Sequence, residues 1–441
     1  MPIKSEQLVD PKAGLIDPDV FMDPQIYERE MDKVFGRSWL FLGHECQLKE
    51  PGDYITTFMG ADPVIVIRQR DGSIKALLNA CRHRGMKVCR TDLGNTRVFR
   101  CPYHGWSYSI SGDLMGMPHQ RLFGPEIDKP SLGLRQVPRL ESMFGLIFAS
   151  FSAEVAPLAD YLGDAVYFLE ASFGRLEGGI ELLEGVNKWN LKCNWKFGAE
   201  QFSTDMYHVY TAHASPYLAL DSDDSQMQGS LQSTLAGGQF SSPYGHGFGW
   251  WETEPEDSVD LKLMPAILKD YFAATRSDVI KRLGAERAKM ESHGTLFPNF
   301  SWLYTGTPII RVWQPKSPTD MQVQNHIFVD ASAPADVRTA MRKFITLLFG
   351  TSGLFEQDDS EIWTTIQRNL HSPRVRETPM LNFMGLGKPI TQENKLGRRT
   401  GVVSEMGSRG WFHRWSQLME SDSYPQPCLL DEVQPEVAES A

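Results

Sequence analysis

Two short segments combine cysteine with histidine, Cys81-Arg82-His83 and Cys101-Pro102-Tyr103-His104, in a C-x-H-x17-C-x2-H spacing. Two thiolates and two imidazoles so spaced suit a two-iron, two-sulfide cluster with unequal irons, the cysteines on one and the histidines on the other. Neutral imidazoles in place of two thiolates remove negative charge, so the reduced form is easier to reach and the potential rises. Gly85 and Gly105 follow the two halves and let backbone N–H groups approach the sulfurs. Zinc is the rival, since a Cys2His2 set also binds it. Zinc fingers usually pair Cys with Cys and His with His, whereas each half here mixes them, which favours iron and sulfide.

A second constellation lies further on. Asp205, His208 and His213 read D-x2-H-x4-H, and Phe355-Glu356-Gln357-Asp358-Asp359 offers carboxylates. Two histidines and one carboxylate on one face of a metal leave the other face open, the ligand set of mononuclear non-haem iron(II) that activates dioxygen. Asp205 and His208 are three apart and share a helical face. His208 and His213 lie about 140° apart on an ideal helix, so the helix must distort or end between them, as a widened turn would allow. Histidines on an apolar helix are more often satisfied core residues, and chemistry alone does not choose between Asp358 and Asp359. An upstream electron store raises the case for a metal here, because stored electrons need a destination.

The first constellation resembles the Rieske domain. In the respiratory-complex type each half carries an extra cysteine and the two form a disulfide; here Met86 and Tyr103 stand at those positions. CRHRG (81–85) and CPYHGW (101–106) resemble the large subunits of Rieske ring-hydroxylating oxygenases. So do NWKF (194–197), E-x-F-x-x-D-x-Y-H (200–208) and FEQDD (355–359), in family order over nearly the whole chain. The resemblance implies that Cys81, His83, Cys101 and His104 hold one [2Fe–2S] cluster per subunit. It implies that His208, His213 and Asp359, the second aspartate of its pair, hold one Fe(2+). Glu356 and Asp358 are then helix N-terminal charges or outer supports of the site. Asp205 joins a mononuclear-site histidine to a cluster histidine of the neighbouring subunit and is the expected catalytic residue. Positions matching the family's pocket wall are Phe202, Val209, His293, Phe349, Leu354 and Phe355, mostly apolar, as a flat hydrocarbon or an ordinary core requires. No pocket-matched arginine is present, which favours a neutral mono- or polycyclic arene over an aromatic acid unless Arg311 reaches in.

The activity implied is that of a terminal oxygenase α subunit, which adds both atoms of dioxygen to an aromatic ring and yields a cis-dihydrodiol. Action on an aromatic carboxylate, or as a monooxygenase or O-demethylase, is the alternative. A pure electron carrier would need neither the long segment after the cluster nor the His-His-Asp set. No dinucleotide fingerprint or flavin motif occurs, so electrons from NAD(P)H must arrive through a reductase and a ferredoxin. The family passes them between subunits, which implies at least a trimer and commonly an α3β3 assembly with a small β subunit.

The rest of the chain must position these groups. Its 441 residues suit two domains, and 41% hydrophobic with 22% charged residues argue for packed cores. A net charge of −11 disfavours a nucleic-acid binder. The longest apolar run, 143–151, is too short to cross a bilayer, and the first residues lack the apolar core of a signal peptide. Six cysteines at irregular spacing are no disulfide framework and fit a reducing cytoplasm. The fold class expected is α+β: a small all-β Rieske domain (38–156) inserted in a catalytic domain (157–441) built on an antiparallel sheet flanked by helices. Residues 1–37, with a helix over 18–36, pack on the catalytic domain. Strands are expected at 54–58, 63–68, 74–78, 143–151, 299–313 and 321–330, and helices at 197–210, 335–349 and 356–370. Residues 221–249 read as a long loop, either a lid or a surface excursion, and the tail after Glu420 as surface-bound or frayed.

Overall fold

Alternating stretches rich in Val, Ile and Thr pair early in the chain. Asp53–Met59 and Asp62–Arg68 form a hairpin; Ile74–Leu78 adds to the second arm and Leu93–Asn95 to the first. Val98–Arg100, Ser107–Ser109 and Leu114–Gly116 form a second sheet, and Arg139–Met143, Leu146–Ser150 and Leu40–His44 a third. The computed structural model, which describes residues 8–10, 14–124, 127–220, 237–252, 263–377, 389–390 and 398–430, makes all of these pairings antiparallel. The run 143–151, expected as one strand, ends one arm of a hairpin and supplies the other. Phe144 and Gly145 have φ of 53° and 78°, the turn whose twist matches that of the strands it joins. Ile65, Ile67, Leu77, Phe99, Trp106 and Tyr108 pack into one core with Cys81 and Cys101.

The second part of the chain is a ten-stranded antiparallel sheet. Its longest strand, Asp320–Asp330, pairs on one side with Ile309–Ser317 and on the other with both Ile180–Leu182 and Asn187–Leu191. Residues 299–313 hold two strands rather than one, because Thr305-Gly306-Thr307-Pro308 reverses the chain between Phe300–Tyr304 and Ile309–Ser317. Part of the expected loop 221–249 is sheet. Gly237–Ser241 and Gly247–Glu252 pair with each other, and burial of both faces hides the period-two pattern; residues 221–236 lie outside the described residues. Helices Ala335–Phe349 and Glu356–Leu370 keep their expected bounds. Helix Met406–Glu420 has no counterpart among the expected elements, although Trp411, Trp415, Leu418 and Met419 recur at helical spacing. The expected helix over 18–36 is three pieces, Pro18–Phe21, Pro24–Glu30 and a wide turn Met31–Phe35. Beyond Glu420 the chain is surface-bound: Lys33 and Arg37 donate to the carbonyls of Ser421, Asp422 and Ser423, while 431–441 lie outside the described residues. No described helix is long and apolar enough to cross a membrane.

Helix Trp195–Thr204 lies on the sheet, with Thr295 Oγ1 donating to Ala199 O at 2.7 Å and Gln239 Nε2 to Thr204 O at 2.9 Å. Gly198 permits the approach, since a Cβ there would stand 2.4 Å from the Trp313 ring. On its other side the helix meets a buried carboxylate. Glu30 accepts from Trp195 Nε1 (3.1 Å), Lys196 Nζ (2.6 Å) and Trp415 Nε1 (2.8 Å), and neither Glu30 nor Lys196 is exposed. One carboxylate therefore joins the N-terminal helix, this helix and the C-terminal helix.

Burial holds two histidines neutral. His246 Nε2 donates to Tyr161 O at 2.8 Å while its Nδ1 accepts from Phe297 N–H at 3.0 Å, so a second ring proton would face a donor. His326 is buried against Phe41. Burial pushes both down to about 4, opposed at His246 by the Tyr161 carbonyl. The unfolded chain takes up these protons below about 6.5 and the folded chain does not until about 4, so stability falls with pH across that window, by on the order of 3 kcal/mol per histidine at its lower end. His326→Phe should flatten the fall in melting temperature between these pH values; an unchanged slope would remove His326 from the account.

Candidate active site

The two Cys-His loops are built alike. Cys81 N–H donates to Met86 O and Gly85 N–H to Cys81 O; Cys101 N–H donates to Trp106 O and Gly105 N–H to Cys101 O, all at 2.8–3.0 Å. Gly85 and Gly105 share φ of 73°, the left-handed conformation that closes so tight a turn without a Cβ penalty. Cys81 and Cys101 are buried and unbridged, and the rings of His83 and His104 lie 4.5 Å apart. His83 stacks on Trp106, and its buried Nδ1 has no partner within the protein, as an atom reserved for a metal would. Tyr108 Oη lies 3.1 Å from Cys81 Sγ and accepts from Arg82 N–H. A tetrahedral zinc would draw all four ligand atoms within about 4 Å of one another. Among the described residues only His208, His213 and Asp359 gather three ligand atoms within 4.8 Å. The looser Cys-His set fits a group with two metals.

The second set forms where a helix breaks. Helix Trp195–Thr204 ends one residue before Asp205, which has φ −77° and ψ 85°. Asp205 Oδ1 accepts from His208 N–H at 3.0 Å, an Asx-type contact that opens the next single turn, Val209–Ala212. The expected helix over 197–210 is therefore interrupted at 205–208. A break also precedes His208, and the short turn after it ends at Ala212, before His213, which has φ −98° and ψ 16°; Asp205 and His208 are joined by a cap rather than by a helical face. His208 Nε2 and His213 Nε2 stand 3.3 Å apart, and each lies near Asp359 Oδ1, at 3.5 and 3.6 Å. A metal ion about 2.0–2.2 Å from each atom spans such a triangle. The remaining ring nitrogens are held from behind: His208 Nδ1 donates to Asp205 O at 2.7 Å and His213 Nδ1 to Asp358 Oδ2 at 3.2 Å. Both Nε2 lone pairs are thereby turned inward, the outer support expected of metal-binding imidazoles.

The charges also ask for a cation. Burial lowers the affinity of His208 for a proton, but the hydrogen bond to Asp205 and the charges of Asp359 and Asp205 outweigh it and raise it to about 9. Burial pushes the Asp205 carboxyl up, yet its hydrogen bond and charge interaction with His208 leave it below the usual carboxylate range. Glu356 is not part of this set. It is fully buried with Arg311, Nη1 to Oε2 2.5 Å.

A cavity of about 120 Å³ opens beside the triad, lined by Gln201, Phe202, Asp205, Met206, Val209 and His293, with Trp251, Leu303, Thr305, Phe349 and Phe355 completing its wall. Burial lowers His293 to about 4, and its Nδ1 donates to Phe202 O at 2.9 Å, so the ring is neutral. Leu354, expected in the wall, does not line the cavity; it packs against the cluster of Phe344, Ile345 and Leu348, to which Phe355, stacked on Phe349, also belongs. Arg311 does not reach in; its guanidinium is spent on Glu356, Asn325 and Phe349 O. Among the described residues, no lysine or arginine lines the cavity. Gln201, Met206, Trp251, Leu303 and Thr305 escaped the reading of the sequence. Gln201 and Met206 sit inside the matched segment 200–208, whereas Trp251 and Leu303 lie on strands whose register only the folded sheet reveals. A larger cleft, about 1040 Å³, shares no residue with this cavity, and its lining includes the ion pairs Lys188–Asp92 and Arg338–Glu181.

Comparison with known proteins agrees with this geometry. Residues 38–134 match the Rieske [2Fe-2S] domain and residues 180–403 the ring hydroxylating alpha subunit, catalytic domain. The chain is 38% identical to the biphenyl 2,3-dioxygenase subunit alpha of Rhodococcus jostii (strain RHA1) over 98% of this chain and 94% of that one. It is 38% identical to a benzene 1,2-dioxygenase subunit alpha of Pseudomonas putida over 95% and 94% of the two chains. A solved naphthalene 1,2-dioxygenase with indole in its active site superposes with a TM-score of 0.87 at 33% identity, covering 95% of this chain and 94% of that one. The chain belongs to the large subunits of the ring-hydroxylating dioxygenases, oxidoreductases that carry a Rieske cluster and a mononuclear iron and put dioxygen into aromatic rings.

Proposed function

We propose that Cys81 and Cys101 hold one iron of the [2Fe–2S] cluster, that His83 and His104 hold the other, and that His208, His213 and Asp359 hold Fe(2+). When bound, these centres supply electron storage and dioxygen reduction. Residues 38–156 form the electron-storing domain, 157–441 the catalytic domain, and 1–37 a segment packed on the latter. The substrate is a neutral arene, and the observation that carries this is the cavity beside the triad, aromatic in much of its wall and without a lysine or arginine among the described residues. An apolar cavity of 150 Å³ takes up benzene, so about 120 Å³ is the scale of one ring, with any second ring lying toward the entrance. Phe202, Phe349 and Phe355 orient the ring and exclude water, and neutral His293 adds no charge. The product is a cis-dihydrodiol.

Electrons arrive from NAD(P)H through a reductase and a ferredoxin, and pass between subunits of an α3β3 assembly in the cytoplasm. Supporting the crossing between subunits, Tyr103 at the cluster tip is 57% exposed and Tyr207 beside the triad 61%. Asp205, one side of its carboxylate on His208, bridges to the cluster histidine of the next subunit.

Reconstitution with reductase and ferredoxin under labelled dioxygen, with benzene, biphenyl, naphthalene and benzoate as substrates, tests the reading. Two label atoms in one dihydrodiol from a neutral arene are expected; turnover of benzoate alone, or a single label atom, would replace it. His213→Ala should abolish turnover and lose the mononuclear iron while leaving the visible spectrum of the cluster intact. Asp205→Asn should retain both centres yet slow single-turnover electron transfer on the order of 100-fold; a normal rate would remove the bridge.

A further inference from the structure

We propose that Trp363 is a positioning residue for the iron site, acting through the Gln201 amide to orient Asp359 and to keep the Gln201 carbonyl away from the metal. The inference rests on the ligand set proposed above. Gln201 lies on helix Trp195–Thr204, whose end leads to His208; Asp359 and Trp363 lie one turn apart on helix Glu356–Leu370. The amide of Gln201 spans that turn. Its Oε1 accepts from Trp363 Nε1 at 2.7 Å and its Nε2 donates to Asp359 Oδ1 at 2.9 Å.

An indole nitrogen can only donate, so it fixes which end of the amide faces it. The NH2 end must then face the carboxylate, and it lies 3.3 Å from His208 Nε2 as well. Turned over, the amide would set N–H against N–H at Trp363 and oxygen against oxygen at Asp359, and would carry its carbonyl to the edge of the ligand triangle. There a carbonyl oxygen is a metal ligand, whereas an amide N–H is not. Trp363 itself is held: it is 2% exposed and meets Trp313 edge-on at 5.4 Å, and Trp313 Nε1 donates to Ser301 Oγ at 2.7 Å. The sheet thus fixes one indole, that indole the next, and the second indole the amide. The same N–H also steadies Asp359 Oδ1, the atom nearest both histidines.

The test is made on the assembled oxygenase, with Trp363→Phe, Gln201→Leu and the double variant. Iron(II) affinity is read by competition with a ferrous chelator, and the site's symmetry by electron paramagnetic resonance of the iron with nitric oxide added. Trp363→Phe, which removes one N–H and little volume, should weaken iron binding 10–100-fold and change the nitric oxide spectrum, with the cluster spectrum unaltered. The double variant should bind iron no more weakly than Gln201→Leu alone, because the two residues act in series. Wild-type affinity and spectrum in Trp363→Phe, or losses that multiply in the double variant, would overturn the proposal. His213→Ala separates this failure from that of the ligand set: iron retained in His213→Ala sinks the ligand set, whereas iron lost there but held normally in Trp363→Phe sinks only the role of Trp363.

Discussion

A carboxylate with no access to water, Glu30, holds the helix from which the iron site is launched. Two indole N–H groups and one ammonium converge on it from adjacent residues of helix Trp195–Thr204 and from helix Met406–Glu420. Removing one partner of such a pair leaves a charge stranded in the interior, which is why buried pairs are brittle even where they add little net stability. The register of Trp195 and Lys196 on Glu30 fixes the helix, and through it the positions at which Gln201 faces inward and Asp205 ends the regular backbone. The N-terminal segment is therefore part of the catalytic architecture, though it contributes no group to the cavity.

The iron site then follows from where that helix stops. Asp205 closes a cap on His208, and one further turn delivers His213. From the far side, helix Glu356–Leu370 supplies one carboxylate to each task. Asp358 steadies His213 from behind, and Asp359 faces the space between the two rings. Adjacent aspartates on a helix point about 100° apart, so one helix start provides both a support and a ligand. Glu356, first in the same run, is drawn away by Arg311. Three neighbouring acids thus take three roles because each meets a different partner.

Much of this was legible in the residues. The mixed Cys-His halves pointed to a two-metal group before any fold was known, and the amphipathic helices Ala335–Phe349 and Glu356–Leu370 were readable to the residue because one face repeats cleanly. The break at Asp205 was not. Phe197–Tyr210 contains no proline and no late glycine, and only the competition between a side-chain cap and the backbone ladder ends the helix there. Strands Gly237–Ser241 and Gly247–Glu252 were hidden because both their faces are buried. Gln201 and Trp363 were invisible as a pair, since their meeting depends on two helices 162 positions apart in the chain.

The buried Arg311–Glu356 pair has a bearing on how this protein could change over generations. The guanidinium lies 5.8 Å from the Phe202 ring and donates to the carbonyl of Phe349, so the rear of the cavity rests on charges that tolerate no single replacement. Val209 and Leu303, on the same wall, are apolar and take no part in that pair. A change in the shape of the bound ring is therefore met most simply at Val209 and Leu303, where a replacement strands no buried charge.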